Sequence, residues 1–409
     1  MQRIVLFPLF GLLIWFPALP AAPATTAPRP KVVLSRVFSS SKIESEWFTQ
    51  SFLKVVPPAR LFAVRKGLEA TLGAFRKVRG SANPYTLIFT RGTARANIAL
   101  DIHGRIRGLR VFQIAPTASS LTDIIHRVRR LAGTSSLLVL ENGRSLVAYH
   151  ADTPLAVGSA SKLAVLAALQ EQIKQGRHHW AEIVHLKRRW KALPSGILQN
   201  WPDGSALTLH TLATLMISIS DNTAATALIR ILGRRAVEAE APAQDRPFLT
   251  PLEAFKLKLP DNKPLLIRYL AAAGKARRDL LEAVDALPRP TLGKMQQAFD
   301  QGPLALRVEW FFNVHQLCNL MRKVQHLPLM SVNPGGGLAD PAAWKRIAFK
   351  GGSEPGVLNL TTWLVAKTGN RYCVSLTVNR SHHTVDDTRI ELLYSSLLNQ
   401  LAIRTETRH

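Results

Sequence analysis

Val157-Gly158-Ser159-Ala160-Ser161-Lys162-Leu163-Ala164-Val165-Leu166 is the stretch that decides how this chain folds. Gly158 ends a loop, and the run from Lys162 to Gln170 begins a strongly apolar helix. Three residues make nearly one helical turn, so the Ser159 hydroxyl and the Lys162 ammonium share a face. A helix N-terminus also offers unpaired N–H groups and partial positive charge, which suit a developing oxyanion. Ser-x-x-Lys by itself is weak. It recurs as Ser39/Lys42 and Ser51/Lys54 without companions, and Ser159 alone would read as a helix cap. Two later signatures change that: Ser220-Asp221-Asn222, inside the apolar segment 209–232, and Lys350-Gly351-Gly352-Ser353. Together they supply a serine nucleophile, a lysine base, a polar bridge and a second lysine, the equipment for acyl transfer without histidine. Lysine is a base only when neutral, and burial beside another positive charge, here Lys350, pushes it that way. Ser220 can relay a proton towards a leaving group, while the Asn222 amide holds Lys162 or a substrate carbonyl.

Working outward, the chain of 409 residues is long enough for one large domain and a smaller one. Arg3, the apolar stretch 4–19 and the small-residue run 20–24 read as a secretory signal peptide over residues 1–24, followed by a tether over 25–30. Residues 31–115 read as a small α+β domain. Helices are expected over 44–56 and 59–72, then strands over 85–90, 94–101 and 106–114. Residues 120–405 read as the second domain. It opens with a helix over 121–131 and a hairpin turning on Asn142-Gly143. It returns to strands at 348–350, 360–366 and 372–379, and ends in a helix over 388–403. Strands at both ends with helices between imply one antiparallel sheet with helices packed on it.

The net charge of +26 invites a nucleic-acid reading, but the basic residues are scattered in short clusters such as Arg127, Arg129 and Arg130, and Lys187, Arg188 and Arg189. Non-specific attraction to a polyanionic cell envelope explains the balance, with no nucleic acid as partner and the chain acting as a monomer. Cys318 and Cys373 allow one disulfide after export, but two half-buried thiols are the plainer account. The 12 histidines, including the pairs His178/His179 and His382/His383, form no metal-ligand array. Trp201 reads as a packing residue that could also wall a cleft.

The three signatures resemble those of class A β-lactamases and penicillin-binding proteins. The wording around them is similar to a β-lactamase-like serine hydrolase subgroup whose members often carry an N-terminal cystatin-like or steroid-isomerase-like domain. The resemblance implies an α+β fold, with an antiparallel sheet flanked by helices and a helical subdomain. It implies Ser159 as acylated nucleophile, Lys162 as base, Ser220 and Asn222 as relay and orienting group, and Lys350 as holder of substrate charge. It further implies an oxyanion hole from the backbone N–H groups of Ser159 and Ser353, substrate contacts from Gly351, Gly352 and Ser353, and no metal or organic cofactor. The implied activity is hydrolysis of β-lactams or related amides and esters by a periplasmic or extracellular enzyme, acting on a small-molecule or peptidoglycan-derived substrate. D-Ala-D-Ala carboxypeptidase, penicillin-binding or esterase activity is the alternative, and a non-catalytic envelope-binding scaffold the second.

Two departures stand out. Lys367-Thr368-Gly369 is a literal match to the third family motif, yet it lies between two strand-like runs and reads as a hairpin turn. With Lys350 in the motif instead, Gly351 replaces the family's usual hydroxyl residue. The family's Glu-x-x-Leu-Asn loop is also missing after Asn222. Glu238 and Glu240 lie in an Ala/Pro-rich stretch, and Glu253 reads as the partner of Thr250 in a capping box. Acylation is therefore expected to be intact and deacylation slow.

Overall fold

The computed structural model describes residues 29–116, 120–335 and 337–406. The expected signal peptide and residues 25–28 of the tether fall outside these residues. The chain divides into two compact units. One takes Leu131–Gly335 and Trp344–Val385; the other takes the described residues up to Arg130, 337–343 and those from Asp386 on.

The unit containing the N-terminal residues is built on a four-stranded antiparallel sheet in the order β1-β2-β3-β4: β1 (Phe75–Arg79), β2 (Tyr85–Phe89), β3 (Gly92–Leu100) and β4 (Ile106–Pro116). The sequence pattern predicts only the last three. Phe-Arg-Lys-Val-Arg has no period-two alternation because β1 is an edge strand whose Arg76, Lys77 and Arg79 are exposed. A helix at Pro30–Ser39 was also not foreseen. Proline sits at its first position, and Val33, Leu34, Val37 and Phe38 form its buried stripe. Buried Arg65 donates to the carbonyls of Val37 (3.4 Å), Ser40 and Ser41 (3.3 Å), capping that helix's C-terminal end. The single helix expected over 44–56 is broken. Phe48 bridges to Ile106, and only then does Thr49 cap a short helix, Gln50–Val55. Pairing with the sheet takes one residue out of the helical path. The helices Leu121–Arg129 and Asp387–Glu406 group with this unit, although the sequence reading runs the second domain from 120 to 405. Leu392, from the last helix, shares the core with Leu34, Leu68, Leu72 and Leu87.

The other unit begins with the hairpin β5 (Thr134–Glu141) and β6 (Arg144–Tyr149). Its turn residues Asn142 (φ 51°) and Gly143 (φ 82°) have the left-handed backbone that the Asn-Gly pair predicts. Two small ribbons follow: β7 (Leu155–Ala156) pairs with β10 (Phe311–Phe312), and β8 (Ile183–His185) with β9 (Ala206–Thr208). The chain returns as β11 (Trp344–Glu354), β12 (Val357–Ala366) and β13 (Arg371–Asn379). The main sheet runs β11-β12-β13-β5-β6, antiparallel throughout, so strands from both ends of the unit share it as expected. Lys367-Thr368-Gly369 lies in the β12–β13 turn, where Gly369 N donates to Ala366 O (3.0 Å). The helix Lys162–Lys174 is buried along most of its length, packed with Leu212, Met216, Leu228, Leu317 and Met321.

Cys318 and Cys373 form a disulfide, not the two thiols of the plainer reading. They join the helix Val314–Val324 to β13, and both are buried. In a chain-entropy account, closing a loop of this size stabilises the fold by about 4 kcal/mol.

Candidate active site

Ser159 sits in a tight 3-10 turn, Gly158–Ser161, directly ahead of the helix Lys162–Lys174. It is not the helix cap. Ser161 holds that position, and its hydroxyl donates to Gly158 O (2.8 Å) instead. The Ser159 hydroxyl is therefore left to Lys162, whose Nζ lies 3.2 Å away.

Ser220-Asp221-Asn222 forms the link between the helices Leu209–Ser218 and Asn222–Leu232. Ser220 is held at φ 59°, a left-handed backbone that costs a non-glycine residue about 1 kcal/mol or more. The turn is fastened by Asp221, which is fully buried. One carboxylate oxygen caps the second helix at Ala224 N (2.8 Å), and the other accepts from Ile197 N (2.7 Å) and Leu198 N (3.0 Å). Gly196 (φ 106°) passes so close to this carboxylate that an added Cβ would collide with it. Ser195 Oγ donates to Ser220 O (2.7 Å), and Asn222 Nδ2 donates to Leu193 O (3.0 Å). The latter bond fixes the amide with its oxygen towards Lys162. The segment 193–198 is thus a cradle for the second signature. The sequence reading gave it no role, although Pro194-Ser195-Gly196 is a turn signal.

Lys162 Nζ donates to Ser220 O and Asn222 Oδ1, both at 2.6 Å, and lies 3.1 Å from Ser220 Oγ. A neutral amine has two N–H bonds and one lone pair. In that neutral form the two short contacts would take both N–H bonds, and the lone pair would face the hydroxyls of Ser159 and Ser220. Burial, and then the charge of Lys350, hold Lys162 well below the ordinary lysine value, with Asp221 and Glu354 pulling weakly the other way. Lys350, on β11, places Nζ 3.2 Å from Ser220 Oγ and 2.6 Å from Gly351 O. Burial brings it down to about 7. The three signatures therefore meet, with Ser220 between two lysines.

Gly352 is pressed against the Ser159 turn: a Cβ there would collide with Val157 O and the Ser159 amide. The backbones of Ser159 and of Gly352-Ser353 consequently run side by side, and the expected contact residues Gly352 and Ser353 border the serine. Gly351 is closed off differently, because an added Cβ would lie 2.8 Å from both Phe349 Cζ and Asn359 O.

The glutamates considered for a water-activating role are all engaged elsewhere. Glu253 is buried in a capping box with Thr250 and accepts from Arg230 and Arg234, both at 2.7 Å. Glu238 accepts from Arg278 at 3.0 Å, and Glu240 from Lys323 at 2.7 Å. A separate buried cluster lies beside β11. Lys258 Nζ bonds Glu309 and, at 2.6 Å, Glu354, the residue after Ser353. His178 meets Glu182 (2.7 Å), while His179, His382 and His383 are exposed.

Residues 116–245 match the model of the β-lactamase enzyme family, a span that takes in Ser159, Lys162 and the Ser220–Asn222 turn but ends short of Lys350. Among solved structures, the chain is similar to PBP-A at 19% identity and a TM-score of 0.48, covering 70% of this chain and 96% of that one. It is similar to a β-lactamase from Sphaerobacter thermophilus DSM 20745 at 20% identity and a TM-score of 0.43, covering 70% and 96%. An ancestral class A β-lactamase stands at 18% and 0.43, covering 70% and 100%. A comparison with curated proteins found no match. The matched segment makes residues 116–245 similar to the β-lactamase enzyme family, and the antiparallel sheet with its helices is the β-lactamase-like fold that the signatures imply.

Proposed function

We propose that this protein is an exported serine hydrolase that works through an acyl-serine intermediate. One observation carries the reading: the buried Lys162 amine, which donates to Ser220 O and Asn222 Oδ1, lies 3.2 Å from the Ser159 hydroxyl. Ser159 Oγ would bond to the carbonyl carbon of an amide, ester or β-lactam as its proton passes to Lys162 Nζ. The oxyanion would fall between the backbone N–H groups of Ser159 and Ser353. The proton then passes through Ser220, beside Lys350, to the leaving group as its bond to carbon breaks. Water finally hydrolyses the acyl-serine.

Release is the slow step on this reading, because Glu238, Glu240 and Glu253 are committed to arginine, lysine and cap contacts. That favours a penicillin-binding or esterase type of activity over a fast β-lactamase. The intact side-chain cluster weighs against a pure scaffold. The buried disulfide supports an oxidising compartment, and so export to the periplasm or beyond. The surplus of 53 Lys and Arg over 27 Asp and Glu supports attraction to an anionic envelope.

Intact-protein mass over time, with a penicillin and with a cephalosporin, tests the reading. An adduct that forms on the wild type and not on Ser159→Ala is expected, persisting for minutes or longer. Absence of any Ser159-dependent adduct with these drugs and with a fluorophosphonate would overturn it.

A further inference from the structure

We infer that the face of the β1-β2-β3-β4 sheet turned away from its core binds an anionic polysaccharide, a chain that carries both repeated negative groups and hydroxyls. The inference stands apart from the acyl-serine reading, since every residue that forms the face lies in the other unit.

One face of this sheet is taken by the core. Leu87, Ala94, Ala96, Ile98 and Val111 share it with Leu34 and Leu68 of the helices Pro30–Ser39 and Pro58–Leu72. Side chains alternate along a strand, so the residues between them stand on the opposite face. The register fixes which of those are neighbours. Arg79 pairs with Thr86, Thr86 with Arg95, and Arg95 with Phe112; two residues along β3, Asn97 pairs with Arg110. Lys77 precedes Arg79 by two, with buried Val78 between them. Four cations therefore share one face, and the four strands contain no Asp or Glu. Like charges gathered in this way repel, and folding alone gives no reason to collect them. Elsewhere in the unit Arg105 meets Asp101 at 2.8 Å and Lys66 meets Glu69 at 3.7 Å. Among the described residues, Lys77, Arg79, Arg95 and Arg110 have no such partner.

The centre of the face shows what is missing. Arg95 Nε, Arg110 Nε and Asn97 Oδ1 are buried and have no hydrogen-bond partner among the described residues. Buried polar groups are costly to leave in that state, and a ligand can supply the partners. The guanidinium groups call for oxyanions. The Asn97 oxygen accepts only from a donor, and a donor compatible with two adjacent cations is a hydroxyl. Oxyanions and hydroxyls together describe an acidic sugar chain. From Arg79 on β1 to Arg110 on β4 the face crosses three inter-strand gaps, roughly 14 Å at about 4.8 Å each. A free phosphate or sulfate does not span that distance, whereas a chain does. Arg95 and Arg110 are half-buried, which suits a slender chain better than a flat lipid surface. Gly337 passes Arg110 so closely that a Cβ would lie 2.6 Å from a guanidinium nitrogen, so this neighbour brings backbone and no side chain. Phe112 lies under the same guanidinium, 5.2 Å from ring centre to carbon, and is not free to stack on a nucleobase.

Fluorescence anisotropy on the full chain tests the inference, with labelled alginate and dextran sulfate as two acidic glycans that differ in their charged group. Binding of at least one is expected, and none of neutral dextran. Arg95→Gln/Arg110→Gln should weaken it by about tenfold or more. Arg188→Gln/Arg189→Gln removes the same charge from an exposed site in the other unit and should leave affinity within about twofold. Asn97→Leu changes no charge and should weaken binding by about threefold or more. Circular dichroism and melting temperature report the folding of each variant. If Arg95→Gln/Arg110→Gln does not fold, Lys77→Gln/Arg79→Gln on the exposed edge strand is the substitute, with a smaller loss in the same direction. Equal losses in the two arginine pairs would reduce the effect to diffuse attraction and overturn the inference. Binding of neither glycan would overturn it too. So would tighter, Arg95-dependent binding of phosphatidylglycerol vesicles or of oligo-dT, which would give the face to lipid or to nucleic acid.

Discussion

Lys162 and Lys350 at the reactive turn, and Lys258 beside the same strand, are three buried lysines in one unit with opposite company. Neither Lys162 nor Lys350 has a carboxylate at ion-pair distance among the described residues; their nitrogens meet hydroxyls, an amide oxygen and backbone carbonyls. Lys258 meets two carboxylates, Glu309 and Glu354. All three are held below the ordinary lysine value, first of all by burial. Only for Lys258 does a directly bonded carboxylate, Glu354, pull back against burial. A buried lysine without a counter-ion can become a neutral base, whereas one between two carboxylates is a fastening. The difference lies in the partners, not in depth.

The comparison breaks first if Lys162 is dispensable. Lys162→Met should lower acylation by about a thousandfold or more, measured as the rate of Ser159 adduct formation. Its melting temperature should stay level or rise, because a lone buried amine is removed. Lys258→Met should behave in reverse. It strands two carboxylates and should cost about 3–5 kcal/mol by denaturant titration. Ser159 should keep its reactivity in whatever fraction remains folded.

A smaller effect sharpens the pair within the site. Lys350 sits near 7 in the native state and at about 10.4 when unfolded. Between those values the unfolded chain binds more protons, so stability contributed by this group rises with pH from about 7 to about 10.4. Lys350→Met should flatten that slope, as melting temperatures at pH 7, 8.5 and 10 would show. Smallest is Glu354→Gln. It leaves Lys258 with one carboxylate and should cost about 1–3 kcal/mol. Because Glu354 raises Lys162 slightly, the variant should move the acid limb of the acylation pH profile to lower pH. An unmoved limb would mean that the two lysine regions do not feel each other.

The reactive cluster was legible because each signature is local. Ser159 and Lys162 lie one turn apart, and the strained Ser220 lies two residues from Asn222, so side-chain chemistry and spacing suffice. The Lys367 turn could also be set aside, since the flanking runs alternate as strands do. What escaped the sequence depends on residues distant in the chain. Asp221 is quoted in the motif, but its task of holding Ile197 and Leu198 needs the loop folded against it. Phe349 looks like an ordinary strand residue until Gly335 and Gly351 are seen on either side of its ring. The disulfide joins a helix to a strand, a proximity that no local spacing encodes. Strand β1 escaped for the opposite reason: its charges serve an exposed edge, so it carries no strand pattern to read.

The last helix has a consequence for the order in which the protein is made. Leu392 closes the core formed by Leu34, Leu68 and Leu72, and Gly67 lets it in so closely that a Cβ would sit 2.6 Å from its Cδ1. A nascent chain that has reached residue 385 already contains every member of the reactive cluster. The core of Leu34, Leu68 and Leu72 still has an open apolar face, waiting for the helix Asp387–Glu406 to arrive. A part of the polypeptide made early has its folding completed by a part made late.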